Sequence, residues 1–376
     1  MISSVFDVAI VGAGIVGAAC ADECVREGMT VVVIESDVVG GGATAAGMGH
    51  IVVMDDSEAQ FALTSYSQSL WRELAPDLPG DVEYEACGTI WVAADEEEME
   101  EVRRKQAFYS ERNVPVEVLD ADALPDAEPK LRNGLAGGLR VPGDAVIYPP
   151  AAARFLLERA RARGAVLRSG VPVFELTDDG ARLRDGAFIA SGVTINATGS
   201  WAPSLTPGID VRKRKGHLVI TDRYPGFLRH QLVELGYLKS AHSLTSDSVA
   251  FNVQPRRTGQ LLIGSSRQFG SEDSKVDAAI LGRMLARAEE YIPELGPLSA
   301  IRTWTGFRAA TPDKLPLIGP SPGHSRQYLA TGHEGLGITT SLGTARLLVD
   351  QLLGRPSQIP IGPFLPARSM QEAIHA

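Results

Sequence analysis

The feature that most constrains this fold is a glycine-rich turn near the start of the chain. An apolar run, Val8 to Val11, leads into Gly-Ala-Gly-Ile-Val-Gly at 12–17, and a segment of small residues with helical character follows. A second apolar run, Val31 to Ile34, ends in Glu35. This order predicts a strand, a tight turn, a helix and a second strand, an arrangement that sets a helix N-terminus against a pyrophosphate.

The spacing within this unit favours dinucleotide binding. Gly12 permits the turn, Gly14 lets the backbone approach the phosphates, and Gly17 lets the helix pack closely on the strand. Glu35 stands 18 residues beyond Gly17, where an acid accepts hydrogen bonds from a ribose 2′-hydroxyl. Since no arginine lies beside it, the acid argues against a 2′-phosphate and so against NADP. A glycine turn with a purely structural role is the alternative.

Length and charge narrow the class of protein. A chain of 376 residues can bury a large core and is expected to form two domains. A hydrophobic content of 44% with 22% charged residues is typical of a globular α/β enzyme. The net charge of −10 gives no electrostatic footprint for nucleic acid, so we expect no nucleic-acid partner.

Neither a signal segment nor a membrane span is expected. The first strand begins almost at once, without a basic flank and apolar signal core, and no apolar run approaches the roughly 18 residues that cross a bilayer. We therefore expect a cytoplasmic protein, with peripheral contact to the inner membrane open through a partner. Cys20 and Cys24 are spaced for zinc on the first helix, but without a second ligand pair core packing is favoured, and no metal is expected.

The rest of the chain alternates between α/β segments and segments rich in predicted strands. Residues 40–50 are dense in glycine and alanine, which suits a second loop against a cofactor because backbone amides can approach a planar ring or a phosphate closely. Strand-like runs dominate 211–267, and the α/β style returns near the C-terminus. We predict an α/β fold in which a Rossmann-like cofactor-binding domain (1–80, 144–205, 304–376) is interleaved with an antiparallel β-sheet domain (81–143, 206–303).

Five segments together resemble the FAD-dependent amine and D-amino acid oxidoreductases, the family of glycine oxidase, sarcosine oxidase and D-amino acid oxidase. They are GAGIVG with Glu35, the GGATAAGMGH loop at 41–50, INATGSW at 195–201, GFRAATPDKLPLIG at 306–319 and TGHEGLGIT at 331–339. Within that family, the 41–57 and 303–319 segments are most similar to the β subunits of D-hydroxyproline dehydrogenases and opine oxidases.

The resemblance implies that the Rossmann-like domain is the FAD-binding domain and that the antiparallel β-sheet domain is the substrate domain. It implies a non-covalent FAD, because no cysteine or histidine matches a covalent attachment point. TGHEGLG matches the turn whose amides face the N1 and O2 edge of the flavin, where they stabilise negative charge. Val173 matches a residue whose backbone holds the adenine, and Trp201 closes the domain. The implied cofactor residues are Gly12, Gly14, Ile15, Val16, Gly17, Glu35, Ser36, Gly42, Ala43, Thr44, Ala46, Gly47, Met48, Val173, Ala197, Thr198, Gly199, Trp201, Arg308, His333, Glu334, Gly335, Leu336, Gly337, Ile338 and Thr339.

The resemblance also implies residues for the substrate. Arg308 matches the arginine that binds the substrate carboxylate, although Ala309 follows where the family often has proline. A structural ion pair is its alternative role, and Arg302 is a weaker carboxylate candidate. His50 is a catalytic candidate that faces the flavin or the substrate amine, or else packs at the domain boundary. Further pocket candidates, each with a structural alternative, are Tyr148 and His217.

We therefore expect hydride transfer from the α-carbon of a D-amino or D-imino acid, such as D-hydroxyproline, to flavin N5. The resemblance implies a catalytic β subunit that passes electrons to an α subunit with further redox centres. An opine oxidase subunit and a glycine or sarcosine oxidase type are the enzyme alternatives. A non-catalytic FAD-binding subunit is the alternative from another class, and oxidase versus dehydrogenase stays open.

Overall fold

The computed structural model describes residues 5–236 and 247–368. Its helices are α1 (Ile15–Arg26), α2 (Gly42–Ala45), α3 (Glu58–Leu74), α4 (Glu96–Glu111), α5 (Ala123–Ala127), α6 (Pro149–Ala162), α7 (Ala202–Leu205), α8 (Ala278–Tyr291) and α9 (Gly337–Leu352). Its strands are β1 (Phe6–Val11), β2 (Val31–Glu35), β3 (His50–Ile51), β4 (Thr89–Ala93), β5 (Glu117–Asp120), β6 (Gly137–Val141), β7 (Ala145–Val146), β8 (Val166–Ser169), β9 (Val173–Thr177), β10 (Gly180–Leu183), β11 (Phe188–Asn196), β12 (Arg212–Arg223), β13 (Gln231–Glu234), β14 (Ser248–Pro255), β15 (Gln260–Arg267), β16 (Ala300–Ala310), β17 (Leu317–Pro320) and β18 (Gln327–Thr331).

The first sheet is built around the predicted strand, turn and helix. Its path is β17-β18-β11-β1-β2-β8, and β10 and β9 branch from β11 as an antiparallel pair. From β18 to β8 the neighbours run parallel, as the burial of β1 and β2 on both faces requires. Helix α1 packs between α6 and α9 on this sheet. The β1-α1-β2 unit predicted from the glycine turn is thus confirmed.

The second sheet is largely antiparallel and has the order β16-β12-β15-β14-β13-β4-β6-β5. Strands β12 and β16 form a long pair that runs from Arg212 opposite Ala310 to Thr221 opposite Ala300. Only β13 and β4 pair in parallel within this described sheet. The α/β fold class with a Rossmann-like part and a second β-rich part is confirmed by this architecture.

Helix starts follow side-chain caps that the sequence carries. Ser57 Oγ accepts from the Gln60 N–H at the start of α3, and Asp95 Oδ1 accepts from the Glu98 N–H at the start of α4. Asp277 caps α8 in the same way. Each such cap contributes about 1 kcal/mol to the stability of its helix.

Two local segments of the backbone depart from regular strand structure. Within the segment 82–92 only β4 is a strand, because Glu83 and Gly88 take positive φ values of 52° and 72° that interrupt extended backbone. The loop at 40–50 includes a single helical turn, α2, before β3.

The expected domain boundary at 304 falls inside β16, which lies in the second sheet along its whole length. We propose that the boundary lies after Ala310 instead, since cutting a strand would divide its ladder with β12. The other expected boundaries fall between named strands and helices and remain proposals. Among residues 5–236 and 247–368, no helix has the length and apolar character to cross a membrane.

Candidate cofactor and substrate cavity

A cavity of about 660 Å³ lies between the two sheets. The loops that follow β1, β2 and β11 line one part of it, and strands β12 to β16 with the turn before α9 line the other. Its size falls within the range typical of small-molecule and cofactor sites. The cavity joins most of the segments that the sequence singled out.

The glycine turn after β1 leaves no room for side chains. A Cβ on Gly12, whose φ is +104°, would lie 2.6 Å from the Ala197 carbonyl oxygen, and one on Gly17 would lie 1.9 Å from the Gly12 carbonyl oxygen. Gly14 precedes α1 in extended conformation, so the first amides of that helix face the cavity end of the turn. These contacts fit the roles expected for Gly12 and Gly17 in the turn and in helix packing.

Glu35 ties the second strand to this turn. Its Oε2 accepts from the Ala13 N–H over 2.7 Å, and its Oε1 accepts from the Asp37 N–H over 2.9 Å. Thr44 in α2 accepts from the Ile15 N–H over 3.0 Å, which joins the small-residue loop to the start of α1. The carboxylate therefore lies at the cavity wall with its position fixed by backbone donors.

The small-residue loop is packed too tightly for larger residues. A Cβ on Gly306 would lie 2.2 Å from the Ala46 Cβ, and one on Gly47 would lie 2.7 Å from Ile338 Cδ1. The loop thus holds α2 against β16 and against α9 at van der Waals distance, and this packing sets the width of the cavity between them.

The turn before α9 brings backbone amides and one carboxylate to the cavity. Glu334 has a positive φ of 52°, and its N–H donates to the Ala309 carbonyl over 2.8 Å. His333 is buried, its Nε2 lies 3.0 Å from Thr344 Oγ1, and burial lowers its pKa to about 3. His333 is therefore neutral near pH 7, and α9 begins at Gly337 with its N-terminus beside the cavity.

Most of the predicted cofactor residues line this cavity. They are Gly12, Gly14, Ile15, Val16, Glu35, Ser36, Gly42, Ala43, Thr44, Ala46, Gly47, Met48, Val173, Ala197, Thr198, Gly199, Trp201, Arg308, His333, Glu334, Gly335, Leu336, Gly337 and Ile338. Gly17 and Thr339 do not line it; Gly17 packs on the turn, and the Thr339 hydroxyl donates to the His50 carbonyl over 2.8 Å.

Arg308 projects from β16 across its neighbour β12. Its Nη1 donates to the Ser266 carbonyl on β15 over 2.9 Å, and the guanidinium passes over Gly216. A Cβ on Gly216 would lie 2.6 Å from that same nitrogen. The Ser266 carbonyl thereby helps to hold the guanidinium at the cavity wall, and the guanidinium fits there because Gly216 has no side chain.

Two further arginines line this part of the cavity. Arg214 lies directly opposite Arg308 in the strand ladder, is buried, and forms an ion pair with Glu334. Arg267 at the end of β15 is also buried and lines the cavity. Like charges placed opposite one another destabilise a sheet, and the carboxylate of Glu334 offsets the positive charge of Arg214. The positive charge that remains at the cavity favours an anionic ligand.

His50 lies between two side-chain amides. Its Nδ1 is hydrogen-bonded to Gln231 Oε1, and its Nε2 is 3.3 Å from Asn252 Nδ2. Burial is the main cause that lowers the pKa of His50 to about 4, and the nearby charge of Arg308 also lowers it. The hydrogen bond to Gln231 acts in the opposite direction. The imidazole is therefore neutral near pH 7, with both ring nitrogens engaged by protein partners.

Three predicted substrate residues do not line the cavity. Tyr148 is 39% exposed and its ring is covered by Arg256. His217 is buried between Ser266 Oγ and the Asp277 N–H, and the adjacent Lys215 charge adds to burial in lowering its pKa. Arg302 lies against Trp304. Their contacts match the structural alternatives.

Several cavity residues were missed by the sequence analysis. They are Trp91, Arg214, Gln231, Asn252 and Arg267, all on strands of the second sheet. Asn252 carried a usable signal, because it interrupts the apolar run of β14 at a buried position. The run RKRK at 212–215 was harder to interpret, because four cations in sequence suggest a solvated strand although Arg214 and Lys215 are buried.

The cysteines of α1 have no role at this cavity. Cys20 and Cys24 lie in the core cluster beneath the first sheet, and burial raises the pKa of Cys20 to about 12. Within the described ranges no three His, Cys, Asp or Glu side chains come together as a metal site would need. The interpretation of this cysteine pair as core packing agrees with its burial.

Comparison with known proteins extends over nearly the whole chain. A family model described as FAD dependent oxidoreductase (DAO) matches residues 7–351. A glycine oxidase of Geobacillus kaustophilus is 29% identical over 96% of this chain and 96% of its own length. The hydrogen cyanide synthase subunit HcnC of Pseudomonas aeruginosa is 28% identical over 98% of this chain and 97% of its own.

Solved structures agree with the fold. The crystal structure of glycine oxidase from Geobacillus kaustophilus superposes with a TM-score of 0.85 at 28% identity, covering 96% of this chain and 98% of that one. L-Proline dehydrogenase from P. horikoshii gives a TM-score of 0.87 at 22% identity, covering 99% of each chain, and this likeness concerns the fold alone.

Proposed function

Because the chain belongs to the family of FAD-dependent oxidoreductases, we propose that it oxidises the C–N bond of a small D-imino acid such as D-hydroxyproline. The observation that carries the proposal is the Arg308 guanidinium, held at the cavity wall above Gly216 with Ser266 as its backbone acceptor. A planar guanidinium in this setting can bind a carboxylate with two parallel hydrogen bonds.

The cavity residues fit a non-covalently bound FAD. The crowded glycines of the first turn bring the backbone and the N-terminus of α1 to the cavity, where a pyrophosphate can lie, and Glu35 is placed for a ribose. The start of α9 and the amides around Gly335 would face the flavin edge. No cysteine of the described chain lines the cavity, which supports the non-covalent assignment.

Oxidation removes a hydride from the α-carbon and a proton from the nitrogen, which leaves an imine. When bound, FAD supplies the two-electron acceptor for that hydride. The protein's own task is to orient the substrate, and Arg308 does so by fixing the carboxylate. Binding at such a site turns an encounter of two molecules into a single oriented arrangement, which lowers the barrier.

His50 serves this site as a neutral hydrogen-bonding group. With its pKa lowered to about 4 and both ring nitrogens engaged, it is a weak proton acceptor near pH 7. We therefore assign His50 a positioning role beside the substrate nitrogen. The nitrogen's proton passes to solvent when the imine forms.

The proposed role as a subunit of a larger enzyme is based on similarity to a relative. HcnC, which matches this chain over nearly its full length, is named as a subunit of a larger synthase. We propose that this chain is likewise a catalytic β subunit that transfers electrons to an α subunit with further redox centres. Its proposed location is the cytoplasm, with contact to the inner membrane through the electron acceptor.

Two other substrates have support of their own. Glycine is supported by the 29% identity with a glycine oxidase. An opine such as octopine, which carries two carboxylates, is supported by the charge around Arg308, since Arg214, which is paired with Glu334, and Arg267 line the same part of the cavity. A non-catalytic FAD-binding subunit remains the alternative from another class.

A substrate panel tests the proposal. The purified holoenzyme is mixed without oxygen with D-hydroxyproline, D-proline, glycine, sarcosine or octopine while the flavin absorbance is followed. Bleaching with the cyclic D-imino acids is the expected result. Bleaching with glycine or octopine alone would move the assignment to that substrate, and no bleaching in a protein that holds FAD would support the non-catalytic class.

A further inference from the structure

Several buried polar atoms of the cavity lining have no hydrogen-bond partner within the described residues, and Asn252 Oδ1 is one of them. Asn252 lies on β14, is only 8% exposed and lines the cavity, yet its Oδ1 makes no hydrogen bond to any of them. A buried acceptor left in this state costs about 1–3 kcal/mol. A ligand that donates a hydrogen bond to this oxygen would remove that cost.

The neighbours of Asn252 determine which atom it presents. Gln231 Nε2 donates to Thr89 Oγ1 over 2.9 Å, so Gln231 Oε1 is left to accept from His50 Nδ1. His50 Nε2 then carries no proton and accepts from Asn252 Nδ2 over 3.3 Å. This chain of hydrogen bonds uses the amide nitrogen of Asn252 and leaves its oxygen as an acceptor.

The position of Asn252 relative to Arg308 suits a small amino acid. Asn252 lies opposite Gly264 in the ladder, and Arg308 is anchored two residues further along β15, at Ser266. Strand spacing and rise place the two backbone points roughly 8 Å apart, so side chains that lean toward each other can hold two ends of one small molecule.

We propose that Asn252 Oδ1 accepts a hydrogen bond from the N–H of the substrate nitrogen while Arg308 binds its carboxylate. This inference rests on the proposed function, because it assigns the second anchor of the same substrate. A neutral acceptor binds an N–H without stabilising extra positive charge as a carboxylate would, so it leaves the nitrogen free to lose its proton. Asn252 thus selects amines over carboxylates that lack an N–H.

A pair of matched ligands isolates this contact. Pyrrole-2-carboxylate and furan-2-carboxylate are planar five-membered rings of nearly the same size, and they differ in carrying N–H or oxygen beside the carboxylate. Neither has the hydrogen-bearing α-carbon that the reaction oxidises, so dissociation constants can be measured on the holoenzyme by calorimetry. The proposal predicts that pyrrole-2-carboxylate binds about tenfold more tightly, the effect of one net hydrogen bond.

Two variants of Asn252 and one of Arg308 complete the test. Asn252→Leu removes the acceptor at similar size, and we expect the preference to fall to about one. Asn252→Asp keeps an acceptor, and we expect the preference to persist at pH 8, where His50 stays neutral. Arg308→Lys should weaken both ligands alike and leave their ratio unchanged, because it acts on the shared carboxylate.

The outcomes separate the inference from the function on which it rests. Equal binding of the two ligands to the unaltered protein, or an unchanged preference in Asn252→Leu, would overturn the role of Asn252 and leave the proposed function standing. If neither ligand binds, the substrate class itself is wrong and the inference falls with it. Near-native circular dichroism and flavin content in each variant establish that the protein is folded.

Discussion

The guanidinium of Arg308 occupies the space that the absent side chain of Gly216 leaves open. A Cβ at that glycine would lie 2.6 Å from Nη1 and 2.9 Å from Nη2 of Arg308. Gly216 is paired with Gly306 across the ladder, and a Cβ there would collide with Ala46. Because Gly216 has no side chain, Arg308 can lie flat on the second sheet. Because Gly306 has none, the small-residue loop can pack against the same sheet.

Gly216→Ala should displace Arg308 from its acceptor on Ser266. Because the added methyl group meets the guanidinium at less than 3 Å, the arginine must move away from the cavity wall. We expect the KM for the substrate to rise more than tenfold while the protein retains its FAD. Steady-state kinetics together with the flavin content of the purified variant measure both quantities.

Gly282→Ala provides the matched control for that variant. Gly282 lies on the exposed face of α8, and a Cβ there meets nothing within 4 Å. Since alanine favours a helix over glycine, the control should be as stable as the unaltered protein or about 0.5–1 kcal/mol more stable, with an unchanged KM. An unchanged KM in Gly216→Ala as well would show that the position of Arg308 does not depend on the glycine.

Glu35→Gln should weaken FAD binding. The carboxylate accepts from the Ala13 and Asp37 N–H groups, and an amide would set an NH₂ group against one of these donors and remove the charge. Loss of one charge-assisted hydrogen bond corresponds to roughly a tenfold higher Kd. Fluorescence titration of the apoprotein with FAD measures it, with Glu117→Gln on the exposed strand β5 as the control. Equal Kd values for the two variants would exclude a role for Glu35 in binding.

The buried His333 should make the protein sensitive to acid. An unfolded histidine takes up a proton as the pH falls through about 6.5, whereas burial keeps the folded pKa at about 3. This contribution to stability is therefore complete above pH 6.5 and is lost as the pH falls toward 3, at about 1.4 kcal/mol per pH unit.

His333→Gln tests that sign, since glutamine fills the site and can still bond to Thr344 without titrating. Thermal unfolding of both proteins is followed at pH 7, 6 and 5. The unaltered protein should lose stability more steeply than the variant over this interval, and groups common to both cancel in the comparison. Parallel pH profiles would mean that His333 is protonated in the folded state or is not buried.

Lys105 forms an ion pair with Asp55 in the interior, and its Nζ lies 4.6 Å from the centre of the Trp91 ring, which lines the cavity. Burial alone would raise the pKa of Asp55, but the charges and hydrogen bonds of Lys105 and Arg104 keep it lowered. Lys105→Met should reduce the free energy of unfolding by about 3 kcal/mol, because it leaves a buried carboxylate with one partner fewer.

Arg103→Met is the control for this ion pair, since Arg103 is exposed and forms an ion pair with Glu96, which is also exposed. Its effect should stay within about 0.5 kcal/mol. Thermal unfolding at neutral pH compares the two variants. A loss of similar size in both would argue that burial adds nothing to the strength of the Lys105 pair.

Sequence reasoning captured the start of the first sheet because its signals are local. The glycine turn and the two apolar runs lie within a few residues of β1, α1 and β2, which they specify. The sequence analysis placed Gly306 to Ala310 in the cofactor-binding domain, because only their pairing with β12, some 90 residues away, joins them to the second sheet. Pairing between segments so far apart produces no local sequence pattern from which it could be predicted.

The same contrast applies to the cavity. Residues of the glycine turn, the small-residue loop and the TGHEGLG turn could be named because compact motifs carry them. Gln231 and Arg267 could not, because each is a polar residue at the end of an ordinary strand and reaches the cavity only through the pairing of β13, β14 and β15. His217 is the opposite case. Its residue type suits a substrate pocket, but its ring contacts Ser266 and Asp277 and does not line the cavity.

The most direct test of the account is the anaerobic reduction of bound flavin by D-proline in the unaltered protein and in Arg308→Met, measured by stopped flow over a range of substrate concentrations. If Arg308 binds the substrate carboxylate, the variant should retain its FAD yet need roughly a hundredfold more D-proline for half-maximal reduction, the loss expected for a bidentate charged contact. Flavin that bleaches at the same D-proline concentration in both proteins would contradict the account.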